Sequence, residues 1–413
     1  MFVAWRADRT RILRRVFLLL CLLPCACLAA WGAWHHGPAH RDAVRRRLES
    51  SLGCGISLGR IEHLRPGCVR LLDVVALDDR GGALLRLGAA ELEWSADEVR
   101  FRTAVIDLDP AVVAAVVRLG RSWLDQPQRF THDVIVEVER VGVADGDHPV
   151  GLRAECVAAA AGRAIRVRTM PESEDTLVVQ AIGGDADAPP RVEARGRTVR
   201  PLPAAIAAAL VGWPGFSEAV GQDATVVGAF STTAESGTRR ATYVGSIDGV
   251  DLATCTRTLQ LRAEGRVRVD VERCRTEGGR IVEIAGGVAG GPGTVARPAL
   301  ESLAAFLGGG VGPAWEGAAA SPVVPFDRLA ARFSIDATGV RLEGDQGGGL
   351  VSRGGRTVLG CPTRTLSFDR IAWALSPPGT TPVPATPFAG WLLAVLPLAA
   401  PGESADARPV TTR

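Results

Sequence analysis

The chain has 413 residues, 47% of them hydrophobic, with 47 basic against 45 acidic side chains, enough for a folded exterior of one large or two smaller domains. Every basic residue apart from histidine is Arg; the sequence holds no Lys and no Asn. That excludes chemistry needing a lysine amine, such as a P-loop, a kinase lysine, a pyridoxal Schiff base or a Ser–Lys dyad. No basic block interleaved with aromatics occurs, so nucleic acid is not an expected partner.

In chain order, residues 1–15 are an Arg-rich tail expected in the cytoplasm, followed by an uncharged stretch, Val16–Trp34 (VFLLLCLLPCACLAAWGAW). As a helix this stretch is roughly 28 Å long, enough to cross a ~30 Å hydrocarbon core. Ala30-Trp31-Gly32 offers a cleavage site. The long apolar run and the placement of Trp31 and Trp34 favour a retained anchor over a cleaved signal. Arg14 and Arg15 resemble a twin-arginine signal, but Leu13 stands where Ser or Thr is usual, and no lipobox surrounds Cys21, Cys25 or Cys27. Arg residues on both sides nearly balance the positive-inside count; the large downstream region favours its placement outside the cytoplasm. His35, His36 and His40 fall at the membrane edge as interfacial residues, and no metal site is assigned.

His40–Ser51 reads as a short amphipathic helix. Gly53–Trp94 then shows short strands divided by Pro66-Gly67 and by Asp78–Gly82, both turn signals. Val99–Asp107 is a further strand, and Asp109 with Pro110 opens a helix over Ala111–Leu124. Strands follow at Val134–Val143, Gly151–Val157, Ala164–Met170, Thr176–Ile182 and Arg191–Arg197. Pro201 and Pro203 are expected to open a helix through Leu210, before strands at Ala224–Thr232 and Ala241–Ile247.

The cleanest alternation is Leu259–Glu272, with Leu259, Leu261, Ala263, Gly265, Val267, Val269 and Val271 on one face and charged or amide residues on the other. Arg280–Val288 returns across a Gly278-Gly279 turn, and the glycine cluster Gly286–Gly293 reads as a turn. A helix over Pro298–Leu307 leads to a loose Gly/Ala/Pro linker reaching Pro325. The last strands are Ala331–Ala337, Val340–Gly344, Gly349–Ser352 and Thr357–Leu359. Residues 323–400 thus form a C-terminal β region with a Pro-rich end, where Trp391–Leu398 is apolar but too short to span a bilayer. Residues 401–413 are expected to be disordered.

The fold class expected is mainly β: a single transmembrane helix, then an extended, curved antiparallel sheet with a few short amphipathic helices. The sheet is either an open groove or a closed sandwich. Asp107/Asp109, Asp145/Asp147 and Asp185/Asp187 are read as cap and turn residues, and no Ser nucleophile elbow occurs, so no catalytic set, cofactor or metal is assigned. Cys54, Cys68, Cys156, Cys255, Cys274 and Cys361 are even in number; burial as small hydrophobes is favoured over bridging.

The anchor, Leu48–Gly53, Ile56–Ile61, Pro66-Gly67 and Leu71–Asp79, in that order, resemble the start of AsmA/TamB-like proteins. Gly249–Leu252, Gly265–Val271 and Gly286–Gly293 are similar to the AsmA-like C-terminal region, which makes 40–308 the AsmA-like exterior. The Arg-only composition and Val383–Pro387 look like a planctomycete branch. The resemblance implies an inner-membrane anchor carrying a periplasmic β-rich groove, in envelope biogenesis or intermembrane lipid transport. Its expected partners are the bilayer and phospholipid acyl chains, with Leu259, Leu261, Val267, Val269 and Val271 as lipid-facing residues. The competing expectation is a non-enzymatic interaction module with a closed β core.

Overall fold

The protein is described from a computed structural model. It describes residues 10, 12–35, 37–77, 81–125, 132–143, 146–159, 162–170, 174–182, 191–211, 215–235, 238–257, 262–308, 310–315, 321–344, 348–362, 364–368, 370 and 396–397. Most of the tail before residue 12, the Pro-rich end with Trp391–Val395, and residues 401–413 lie outside this set. The described chain is mainly β, with one long apolar N-terminal helix and several shorter helices. It divides into two units, Met1–Asp107 with Arg121–Arg153, and Leu108–Gly120 with Ala154–Arg413.

The first unit begins with α1 (Ile12–His35), long and apolar enough to cross a membrane and with none of its apolar window buried. A single wider π turn, Leu18–Leu22, interrupts its α geometry. Then α2 (Pro38–Leu52) starts with Pro38 in its first turn and stops at Gly53, whose φ of 68° is the left-handed C-cap glycine favours. Four strands form an antiparallel meander: β1 (Gly55–Arg65), β2 (Cys68–Leu77), β3 (Ala83–Trp94) and β4 (Glu98–Leu108). Pro66-Gly67 makes the first hairpin as its sequence demands, Gly67 having φ 79°. Val44 and Leu48 of α2 close the inner face, packing with Ile56, Leu58, Val69, Leu71, Leu92 and Val99. Leu48, Leu71 and Leu92 are each 0% exposed. The indole of Trp123 donates to the Leu52 carbonyl at 2.7 Å, fixing the C-terminal end of α2. In the same unit β5 (Asp133–Val143) carries Glu137, paired with Arg102 at 2.7 Å.

The division falls within α3 (Pro110–Asp125) and β6 (Gly146–Ala159). Asp109 caps α3 as expected, its carboxylate accepting from Val112 N at 2.7 Å.

The second unit is a long antiparallel succession. β7 (Gly162–Met170), β8 (Thr176–Ile182), β9 (Arg191–Pro203), β10 (Thr225–Glu235) and β11 (Thr238–Asp251) pair in sequence order. The helices α4 (Ala204–Val211) and α5 (Phe216–Val220) lie between β9 and β10. After β11 come α6 (Leu252–Thr256) and β12 (Ala263–Glu264), and β13 (Arg266–Glu277) pairs with both β11 and β14 (Arg280–Gly290). β15 (Gly293–Ala296) and β16 (Val323–Phe326) join β12 in a separate three-stranded sheet, with α7 (Arg297–Leu307) between them in sequence. β17 (Arg328–Asp336) pairs with β14, β18 (Gly339–Gly344) and β19 (Gly349–Arg353), and β20 (Arg356–Gly360) pairs with β19.

Four expectations change here. Strand β9 runs through Pro201 to Pro203, because Leu202 and Pro203 still face Val226 and Thr225 of β10; the helix starts only at Ala204. The alternation from Leu259 to Glu272 is not one strand. Gly265, with φ 133°, breaks it, and Ala263–Glu264 pairs with Thr294 and Val295 in the small sheet instead. Gly286–Gly290 is a strand segment rather than a turn, since a Cβ on Gly290 would lie 2.6 Å from the Arg266 carbonyl of the neighbouring strand. Finally, Val323–Phe326, assigned to linker up to Pro325, is an edge strand, the position in a sheet that tolerates proline.

Candidate functional site: the apolar face of the second unit

Of the five residues expected to face lipid, Leu259 and Leu261 lie outside the described residues. Val267, Val269 and Val271 do share one face of β13, with Arg268, Asp270 and Glu272 on the other. Val267 and Val271 are each 4% exposed, already covered by their neighbours; Val269 is half-buried. A bulge after Val271 then resets the phase, so that Cys274 rather than Arg273 is the next buried residue.

Because directly paired residues project to the same side of a sheet, the registers trace what lies beside these valines. One row runs Val167, Leu177, Gly196, Phe230, Tyr243, Cys274, Ile284, Ile335 and Val340, one residue from each of nine strands. At ~4.8 Å per strand it is roughly 38 Å wide and contains no charge. The ring of Phe230 lies across Gly196, where a Cβ would collide with it. A parallel row through Val226, Ile247, Val269, Val288 and Ala331 is equally apolar.

Cover over this face is uneven. Gly120 of α3 sits against Ile165, one strand position along from Val167. Ala204, Ala207, Phe216 and Val220 of α4 and α5 pack on Val226, Ile247 and Tyr243. Ala299, Leu300 and Leu303 of α7 pack with Leu329, Ala331 and Leu342 toward β19 and β20. Between these patches Val167, Leu177, Phe230, Ile284 and Ile335 remain half-buried.

The opposite face is polar. Arg268 bridges Asp248 and Asp270, Arg240 meets Glu277 at 2.8 Å, Arg273 meets Glu283 at 2.6 Å, and Arg332 pairs with Glu272. Hydrogen bonding to its carboxylate partner raises the Arg240 guanidinium further above its ordinary value. In the first unit the depression lined by Arg65, Cys68, Glu91, Glu93, Arg100 and Arg102 is likewise occupied by ion pairs, Arg65–Glu93 at 3.0 Å among them. All nine cysteines are free thiols, and burial pushes Cys54 and Cys274 up to about 11. Asp145, Asp185 and Asp187 lie outside the described residues.

No protein-family model, no curated protein and no solved structure matches this chain.

Proposed function

We propose that the chain is a single-pass protein of the cytoplasmic membrane, with its β-rich bulk in the periplasm, and that the apolar face of the second unit binds phospholipid acyl chains in envelope biogenesis or lipid transfer. The observation carrying this reading is the uncharged row from Val167 to Val340, in which Val167, Leu177, Phe230, Ile284 and Ile335 stay half-buried although α4, α5 and α7 pack on other parts of the same face. A large, partly open apolar surface is the form a non-specific acyl-chain site takes, because contact with a hydrocarbon chain needs area rather than directed hydrogen bonds. The length and apolarity of α1, and the likeness of the ordered segments to AsmA/TamB-like proteins, support membrane attachment and the same role.

The test is photo-crosslinking in intact membranes. A photoreactive residue in place of Phe230 or Ile284 should give lipid adducts detectable by mass spectrometry, and one at Arg195 on the polar face should give none. Val269→Asp should abolish the Phe230 adduct while leaving the melting temperature nearly unchanged. The helix patches at Val226–Ile247 and Leu329–Leu342 favour a second reading, a closed interaction module. Adducts from neither position, together with unfolding of Val269→Asp, would establish that reading in place of the first.

A further inference from the structure

Three histidines from three different elements meet in the first unit. His35 is the last residue of α1, His40 lies in the first turn of α2, and His63 is near the end of β1. Their ring centroids are 4.7 Å (His35–His40), 4.9 Å (His35–His63) and 5.0 Å (His40–His63) apart, so each ring touches the other two. One ligand nitrogen from each lies within 4.8 Å of the others. His40 Nε2 and His63 Nε2 are 3.0 Å apart.

We propose that His35, His40 and His63 form a binding site for a borderline divalent cation, zinc foremost, with a fourth position open to water. Three observations support it. Imidazole nitrogens around a tetrahedral zinc stand about 3.3 Å apart, given a Zn–N bond of ~2.0–2.1 Å. One pair of this cluster, His40 Nε2 and His63 Nε2 at 3.0 Å, already stands near that spacing. Second, His35 Nδ1 is 3.0 Å from the Trp31 carbonyl, which only accepts; Nδ1 therefore carries the proton and Nε2 keeps its lone pair. A ring N–H donated to a backbone carbonyl is the usual outer-shell partner of a metal-bound histidine. Third, His40 Nδ1 is buried with no hydrogen-bond partner, so the protein alone leaves this ring incompletely used.

The set is all nitrogen, which suits Zn²⁺, Ni²⁺ and Cu²⁺ rather than Mg²⁺ or Ca²⁺. His63 is exposed and His35 and His40 are half-buried, so an ion has a path in and water can complete the shell. Bound there, it would join the end of the apolar helix to α2 and β1, fixing the angle at which the helix leaves the β structure.

The experiment uses the full-length chain, free of any histidine tag, in lipid nanodiscs after treatment with a chelator. ZnCl₂ is titrated by competition with a fluorescent zinc indicator, and Co²⁺ serves as the optical probe. The expected result is one equivalent bound, intense tetrahedral Co²⁺ absorption in the visible, and at least about ten-fold weaker binding in His63→Gln and in His40→Gln. His132→Gln, in the same unit but outside the cluster, should bind like the wild type. Because His63 is exposed, its variant keeps the fold, which circular dichroism checks. Wild-type affinity equal to that of His63→Gln, or Co²⁺ absorption as weak as that of the hydrated ion, overturns the site.

Discussion

The two units use the same strand alternation and finish it differently. In the first, one helix with two inward residues, Val44 and Leu48, seals the inner face of a four-stranded meander, and the central leucines lose all contact with solvent. In the second, among the described residues, a face nine strands wide is covered in patches, by α4 and α5 over β10 and β11 and by α7 toward β17 and β18, and five residues of its row stay half-buried. A helix about 10 Å across covers two strands or so at ~4.8 Å spacing. In the first unit one helix suffices for four strands; nine are beyond the reach of one. Width therefore decides whether an alternating sheet becomes a core or keeps an accessible floor.

The largest test of that contrast is a matched pair of truncations. Leu71→Ala, at a fully buried site of the first unit, should cost about 2–5 kcal/mol. Leu177→Ala, in the half-buried row, should cost less than half as much, since part of that side chain is already in water. Denaturant unfolding measures both, and equal losses would mean the row is covered as fully as the first core. A smaller effect sharpens the picture of the row itself. Gly196→Val places a branched side chain where the Phe230 ring lies and should destabilise by about 1–3 kcal/mol. Adding Phe230→Ala should recover part of that loss, because the two changes share one space.

The smallest effect concerns how the helices are held at their starts. The N-terminus of α2 has no side-chain cap and relies on apolar burial, whereas α6 is capped by Asp251, which accepts from Ala253 N, Thr254 N and the Thr254 hydroxyl. That hydroxyl bond, ahead of the backbone bonds, holds the Asp251 carboxyl below its ordinary value. A depressed carboxyl stabilises the fold above the unfolded value and stops doing so as pH falls through the folded one. Asp251→Ala should therefore cost about 1 kcal/mol at pH 6, a penalty that shrinks progressively as pH falls below about 4, read as melting temperatures of both proteins at each pH. A penalty unchanged at pH 3 would detach the cap from the ionised form.

Much of the scaffold is legible in the sequence. The uncharged Val16–Trp34 run, the Asp109-Pro110 start of α3 and the Gly278-Gly279 hairpin each follow from local chemistry, and the structure places them accordingly. What misleads is non-local. Pro201 looks like a helix start until β10 supplies Val226 as a partner for Leu202. Gly286 and Gly290 look like a turn until the backbone of β13 comes close enough to exclude a Cβ. The apolar row is invisible because bulges in β11, β13 and β14 reset the phase of single strands, so the pattern aligns only across strands. The chain does show His36-Gly37-Pro38-Ala39-His40, an H-x-x-x-H spacing, but His63 joins His35 and His40 only through the packing of α2 on β1.

The Arg-only ladder on the polar face has a consequence at the far end of the pH scale. Guanidinium groups do not deprotonate, so base leaves those ion pairs intact where lysines would titrate near pH ~10.4. Two groups that alkali can reach lie on the apolar side, where Tyr243, pushed up to about 12, is paired in register with Cys274, pushed up to about 11. An acid whose folded value is raised supports the fold fully below its ordinary value, near 9 for the thiol and 10 for the phenol, and ceases to as pH climbs through the folded one. Alkaline unfolding of this protein should therefore begin on its apolar face, while its charged face is still fully paired.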